Sequence, residues 1–227
     1  MKKELKKSKP EYLYGLNPVL ASLTANRRQF LKLYLNINEK GNSPKSHPKI
    51  EKIYRMATSF GVKPKFMGRN QLSDFTKSRP HQNVVLKVSK LEQINIQRFS
   101  DIQVFNSLGK TKAKVGRGKL ILFIDGVTDP QNFGSILRSA MFLGVDAIIV
   151  NKKDACGLTP TVSKVSSGAL EFLPIYSVKF VKDFLADLKK NQDFLIVSTN
   201  IDEDGKEILN TEEENNLEEP EEVDSSQ

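Results

Sequence analysis

Asn132, Gly134 and Arg138, in the stretch DPQNFGSILRSA, have the types and spacing to grip an anion. Gly134 and Arg138 are four residues apart, so on a helix they share one face, and helical side chains lean toward the N-terminus. The guanidinium then reaches back over a glycine, which leaves room, toward free N–H groups and the positive end of the helix. A planar two-pronged donor placed there suits a phosphate, or an alkoxide developing beside one. Spacing alone leaves a second reading open, in which the arginine makes a surface salt bridge beside a routine cap.

The flanking residues say what must hold this stretch in place. Leu120–Asp125 is a continuous apolar run ending in an acid, the pattern of a buried parallel strand. Asp129-Pro130 makes the turn, Asn132 reads as the N-cap, and Phe133, Ile136, Leu137, Ala140 and Met141 form a buried stripe that Gly144 ends. Val145–Val150 is the next strand. The loop therefore lies at the carboxyl edge of a parallel sheet, where open α/β folds bind ligands.

The first half also alternates helix and strand. Asn17 reads as a cap with Pro18 at the first helical position; Phe30–Leu35 is a strand; KIEKIYRMATSFG is a helix; KPKFMG, QLSDFTK and NVVLKVS follow as strand, helix and strand. We expect a small α/β domain over 12–89, a basic linker over 90–119 containing GKTKAKVGRGK, and a second α/β domain over 120–200. His81 reads as a core or turn residue, and His47 stands in a polar loop without a partner in view.

Charge is divided along the chain. The net +8 is the sum of +19 over Met1–Asn200 and −11 over Ile201–Gln227, so the body suits a polyanion, with nucleic acid ahead of an anionic membrane. The tail is read as disordered over 201–227 from its block of like charge. One cysteine, Cys156, excludes an internal disulfide and argues against a structural zinc site; its expected role is packing. No apolar run has the length of a membrane span, and MKKELKKSKP has neither a signal-peptide nor a transit-peptide pattern.

FIDGVTDPQNFGSILRSAMFLGVDAIIV resembles the first signature of the SpoU branch of the SPOUT RNA methyltransferases, and CGLTPTVSKVSSGALEFLPIYSV resembles the segment that follows it in that family. YGLNPVLASL and HQNVVLKV resemble the opening helix and closing strand of the family's small, ribosomal-protein-like RNA-binding domain, with Asn83 where glycine is usual. The resemblance implies S-adenosylmethionine-dependent methylation of a ribose 2′-hydroxyl. Within the branch it is similar to the mitochondrial group acting on a guanosine of large-subunit ribosomal RNA, which implies a mitochondrial-matrix location. It implies a parallel α/β-knot domain, ribosomal RNA as partner, no metal, and a homodimer in the family. By the same resemblance Asn132 and Arg138 stand at catalytic positions. Lys164, Ser167 and Gly134 are carried over to RNA binding, and for Lys164 and its neighbours a structural reading with Gly168 as a helix cap stays open.

Two later family signatures, which complete the knot and hold the cofactor, are not found after DFLIVSTN. We therefore expect an incomplete knot domain, with no cofactor-binding residues assignable and S-adenosylmethionine not bound by this chain. The two functional readings are a methyltransferase whose activity belongs to a fuller protein and a non-catalytic RNA-binding protein.

Overall fold

The computed structural model describes residues 9–36, 47–102, 120–190, 195–201 and 207–211, and divides into two units, Met1–Phe180 and Val181–Gln227. The first unit carries two sheets. Strands β1 (Glu11–Tyr14), β2 (Phe30–Asn36), β3 (Pro64–Met67) and β4 (Val84–Val88) form the first in the order β1-β4-β2-β3, with only the β2–β3 pair parallel. Helices α1 (Leu16–Ala25) and α2 (Pro48–Ser59) pack on one face, where Leu13, Leu33, Leu86, Val19 and Ile53 are fully buried. Helix α3 (Arg69–Thr76) packs on the other, against Tyr14 and Val85, with Phe75 stacked on Tyr12 at 4.8 Å. Alternate residues of β1, β2 and β4 thus serve opposite cores, as the pleat requires.

The second sheet is parallel throughout, in the order β5-β8-β7-β6: β5 (Ile94–Ile96), β6 (Ile121–Ile124), β7 (Ala147–Asn151) and β8 (Ile175–Val178). This is the parallel α/β layer expected from the sequence. Its core joins Phe133 and Leu137 of α4 (Pro130–Leu143) to Ile148, Val150, Val162 and Leu170. Each such side chain contributes roughly 1.5–3 kcal/mol by leaving water. Met141, expected on the buried stripe, is 43% exposed. It stands about 80° round the helix from Phe133, at the margin of the stripe.

Two expected boundaries are corrected. Ile94–Ile96, inside the segment read as linker, is an edge strand of the second sheet; three residues are too short to show a period, and Asn95 interrupts them. In the second unit, α7 (Val181–Lys190) is followed by an antiparallel pair, β9 (Val197–Ile201) with β10 (Glu207–Thr211), so the segment read as a disordered tail contains a strand. Asp204-Gly205 between the two strand sequences is a hairpin-turn signal that the acidic composition hid. GKTKAKVGRGK and the end of the chain beyond residue 211 lie outside the described residues.

Candidate functional site

Helix α4 begins where Asp129 Oδ2 accepts the Asn132 N–H at 2.8 Å, with Pro130 at the first position. Asp129, not Asn132, is therefore the cap; a carboxylate ahead of a proline is the stronger start signal. The same bond spends one N–H of the expected anion site, that of Asn132, on an internal carboxylate. Asn132 sits one turn in, exposed, with no side-chain bond among the described residues.

An open depression of about 520 Å³ lies beside it, lined by Gly126–Asp129, Asn132, Ser135 and Ile136 at the carboxyl edge of β6. Asp125 at the same edge is held by the Asn151 amide at 2.9 Å, which ties the ends of β6 and β7. Arg138 is exposed one turn beyond Gly134, and among the described residues it makes no salt bridge or hydrogen bond. The surface ion pair that spacing alone allowed is absent among those residues.

Gly134 is buried, and a Cβ on it would stand 2.7 Å from Val165 Cβ and 3.3 Å from the Ser166 nitrogen. The room expected for the Arg138 guanidinium is filled instead by α5 (Pro160–Val165), so Gly134 serves helix packing. That contact presses the two signature segments together. Thr159 Oγ1 caps α5, with Pro160 at its first position. Ser167 follows in the left-handed region at φ 53, half-buried, and Gly168 at φ 92 opens α6 (Ala169–Phe172). A Cβ on Gly168 would meet Ala21 of α1 at 2.5 Å, so it is a contact glycine as well as a turn glycine.

Lys164 points across to the first-sheet lobe. Its Nζ donates to Gln82 Oε1 at 2.8 Å, and the same oxygen accepts the Leu16 N–H at 3.1 Å. Burial holds the Lys164 ammonium below the usual lysine pKa. Gly15, at φ 92, precedes α1, and a Cβ there would run into Lys164 Nζ. The start of α1 is thus two residues earlier than expected, and the Leu16 N–H is capped by Gln82 from another part of the chain. Asn17, expected as the cap, instead accepts from Lys49 Nζ at 3.0 Å.

Behind this contact lies a buried ion pair that sequence reasoning missed. Arg28 donates to both oxygens of Glu171, at 2.8 and 3.0 Å, and to Glu11 at 2.9 Å. The Ser163 hydroxyl donates to Glu171 Oε1 at 2.8 Å, and Arg27 donates to the Glu171 and Leu173 carbonyls. Charges so buried persist only when paired and hydrogen-bonded. His81 is also buried: Nδ1 accepts the Asn83 N–H at 3.1 Å, which places the proton on Nε2, facing Ser73 Oγ at 3.3 Å. His47 caps α2 by accepting from the Lys49 N–H. Cys156 is a buried packing residue whose thiol burial pushes up in pKa, helped by Asp129. Among the described residues no group of three His, Cys, Asp or Glu is placed to hold a metal, and no helix is long and apolar enough to cross a membrane.

The described residues do not by themselves fit S-adenosylmethionine. An adenosyl group needs apolar walls and converging polar atoms, whereas the depression is open, and the buried polar atoms without a partner among the described residues, Ser22 Oγ and Asn36 Oδ1, belong to the first-sheet lobe.

Comparison with known proteins accounts for both lobes. The SpoU rRNA Methylase family matches residues 119–220, and the RNA 2′-O ribose methyltransferase substrate-binding family matches residues 12–94. Human mitochondrial rRNA methyltransferase 1 is 33% identical over 192 residues, 85% of this chain and 50% of that protein. Its Schizosaccharomyces pombe counterpart is 30% identical over 200 residues, 81% of this chain and 63% of that protein. The chain spans about half the length of the curated relatives it matches. In fold it is similar to the SpoU methyltransferase AviRb of Streptomyces viridochromogenes, crystallised with AdoMet, at a TM-score of 0.56 and 19% identity over 85% of this chain and 63% of that one. A substrate-binding lobe is followed by a methylase lobe, and each carries its own match: residues 12–94 fall in the RNA 2′-O ribose methyltransferase substrate-binding family and residues 119–220 in the SpoU rRNA Methylase family.

Proposed function

We propose that this chain supplies the RNA-recognition lobe and the ribose-facing helix of a ribosomal-RNA 2′-O-ribose methyltransferase, with a guanosine of mitochondrial large-subunit RNA as target and the matrix as its place of work. The observation that carries the reading is α4 itself. It presents Asn132 at the rim of the depression and an Arg138 without a carboxylate partner among the described residues, on a helix held at the carboxyl edge of a parallel sheet. The relatives named as mitochondrial rRNA methyltransferases support the substrate and the address.

A ribose hydroxyl is a poor nucleophile, so the site has to orient it and stabilise the charge left when its proton departs. Arg138 does this by a two-pronged grip on the nucleotide phosphate and the developing alkoxide. Asn132 holds the ribose by amide hydrogen bonds at the rim. S-adenosylmethionine supplies the methyl group when bound, and its walls are not among the described residues. Lys164 and Ser167 belong to RNA recognition in this reading, and the lobes divide at the borders of the two family matches.

The test is ribose-methylation mapping of mitochondrial large-subunit RNA with the coding gene intact and disrupted. Loss of the methyl mark at one guanosine is the expected result. Unchanged methylation with RNA still bound would select the second reading, a non-catalytic RNA-binding protein, which the open depression favours.

A further inference from the structure

Three cations come to rest along the short segment Tyr14–Asn17, and none rests on a carboxylate. Arg79 Nη1 donates to the Tyr14 hydroxyl at 3.4 Å and to Thr161 Oγ1. Lys164 Nζ donates to Gln82 Oε1, the oxygen that also takes the Leu16 N–H. Lys49 Nζ donates to Asn17 Oδ1. Every acceptor is neutral. Elsewhere at the same contact between lobes the opposite holds, since Arg28 meets the carboxylates of Glu11 and Glu171. The contact thus has a neutralised part that holds the lobes together and a part whose positive charge is left over.

That leftover charge is available to a ligand. Lys49 and Arg79 are exposed and Lys164 is half-buried. An ammonium has three donors and a guanidinium five, so one or two bonds to neutral oxygens leave donors to spare on each. Giving up an amide or hydroxyl acceptor for a phosphate strands no buried charge. His81, behind the same loop, registers the field: burial first, then Arg69 and Lys164, hold its pKa below the usual histidine value. The loop that presents Arg79 and Gln82 is also strained. Lys77, Ser78, Gln82 and Asn83 all have φ between 51° and 66°, and none is glycine. Such backbone persists where the surrounding structure enforces it, and it collects at binding sites.

We infer that this seam, built by Lys49, Arg79 and Lys164 with Arg69 beside them, grips RNA phosphates, so that the RNA lies across both lobes instead of on the substrate-binding lobe alone. The inference rests on the RNA reading given above. RNA is the polyanion it commits to because the seam offers point charges and one planar fork over a span of several residues, suited to successive phosphates. The seam also explains why Lys164, carried over as an RNA contact, spends a bond on Gln82. Without RNA the amide parks the ammonium where the phosphate will take it.

The test compares two triple variants of the full chain by binding to a hairpin fragment of large-subunit ribosomal RNA over a range of salt. One variant is Lys49→Gln, Arg79→Gln and Lys164→Gln. The other removes three cations near the far edge of the first sheet, Lys32→Gln, Lys63→Gln and Lys65→Gln. The seam variant is expected to flatten the slope of log affinity against log salt by roughly 2–3, and the control by less than about 1. Equal slopes in the two variants would overturn the seam and leave the RNA reading standing, whereas a wild-type chain with no salt-dependent RNA binding would overturn both. Should the seam variant fail to fold, lysine acetylation of the wild-type chain decides. Protection of Lys49 and Lys164 by RNA, with Lys63 and Lys65 unprotected, is expected; the reverse pattern rejects the seam.

Discussion

Arg28 and Glu171, 143 residues apart in the chain, meet in a two-pronged ion pair with both side chains fully buried. Removing one partner leaves the other as an uncompensated buried charge, and Glu11 reaches only one guanidinium nitrogen. Glu171→Ala should therefore cost roughly 3–5 kcal/mol in urea unfolding. The double variant Arg28→Met with Glu171→Leu should cost clearly less than the two single changes summed. A loss below about 1 kcal/mol for Glu171→Ala would mean that the pair does not hold the lobes.

Gly134→Ala places a methyl carbon 2.7 Å from Val165 Cβ, inside contact distance. The helices have to separate, so melting should fall by an amount equivalent to roughly 1–3 kcal/mol. Combining it with Val165→Ala should recover part of the loss. An unchanged melting curve for Gly134→Ala would show that α4 and α5 approach less closely than described.

Arg138→Lys keeps a positive charge and loses the planar fork. Because Arg138 is exposed and holds no partner among the described residues, stability should stay within about 0.5 kcal/mol of wild type. In cells carrying this variant the ribose methyl mark should fall strongly at normal protein level. Full retention of the mark would remove Arg138 from the chemistry.

His81 gives the fold a pH dependence of known sign. Its pKa is lowered in the folded chain, by burial and then by Arg69 and Lys164, from an ordinary value near 6.5. Between those two values the unfolded chain binds a proton that the folded chain refuses, so stability falls as pH drops below about 6.5 and stops falling below the folded pKa. Above 6.5 the neutral ring and its bond from Asn83 are fully present. Melting temperature should decline from pH 7.5 to pH 5.5, and His81→Asn should flatten the decline; equal slopes would acquit the histidine.

Titration of the chain with S-adenosylmethionine should give no saturable heat in the micromolar range, because the depression at β6 has no enclosing wall among the described residues. Saturable micromolar binding would show that residues outside the described set close the pocket.

Local signals made much of the fold legible. Gly144 ends α4 as read, although its start was placed at Asn132 and lies at Asp129, and the buried run of β7 reads as a parallel strand. What was lost depends on partners distant in sequence. Gln82 caps α1 from 66 residues away, so the sequence near Leu16 shows only Asn17, a plausible cap that is spent on Lys49. The seam joins Arg79 to Thr161 and Lys164 to Gln82, each 82 residues apart, and no periodicity reports such pairs. Gly134 was read as space for an arginine because a glycine's emptiness does not say which neighbour fills it.

The strand order of the first sheet also sets a timetable for synthesis. Among the described residues β1 pairs with β4 alone, and Tyr14 meets Val85 across that pair. At about 5–20 residues per second, the nascent β1 waits roughly 4–14 s for β4 to be made. Throughout that interval its backbone donors and acceptors form an unpaired strand of the sort that other chains join. A ribosome stalled between Asn36 and Val84 would hold β1 and β2 without the strand that joins them, and such arrested chains are the ones that chaperones must cover.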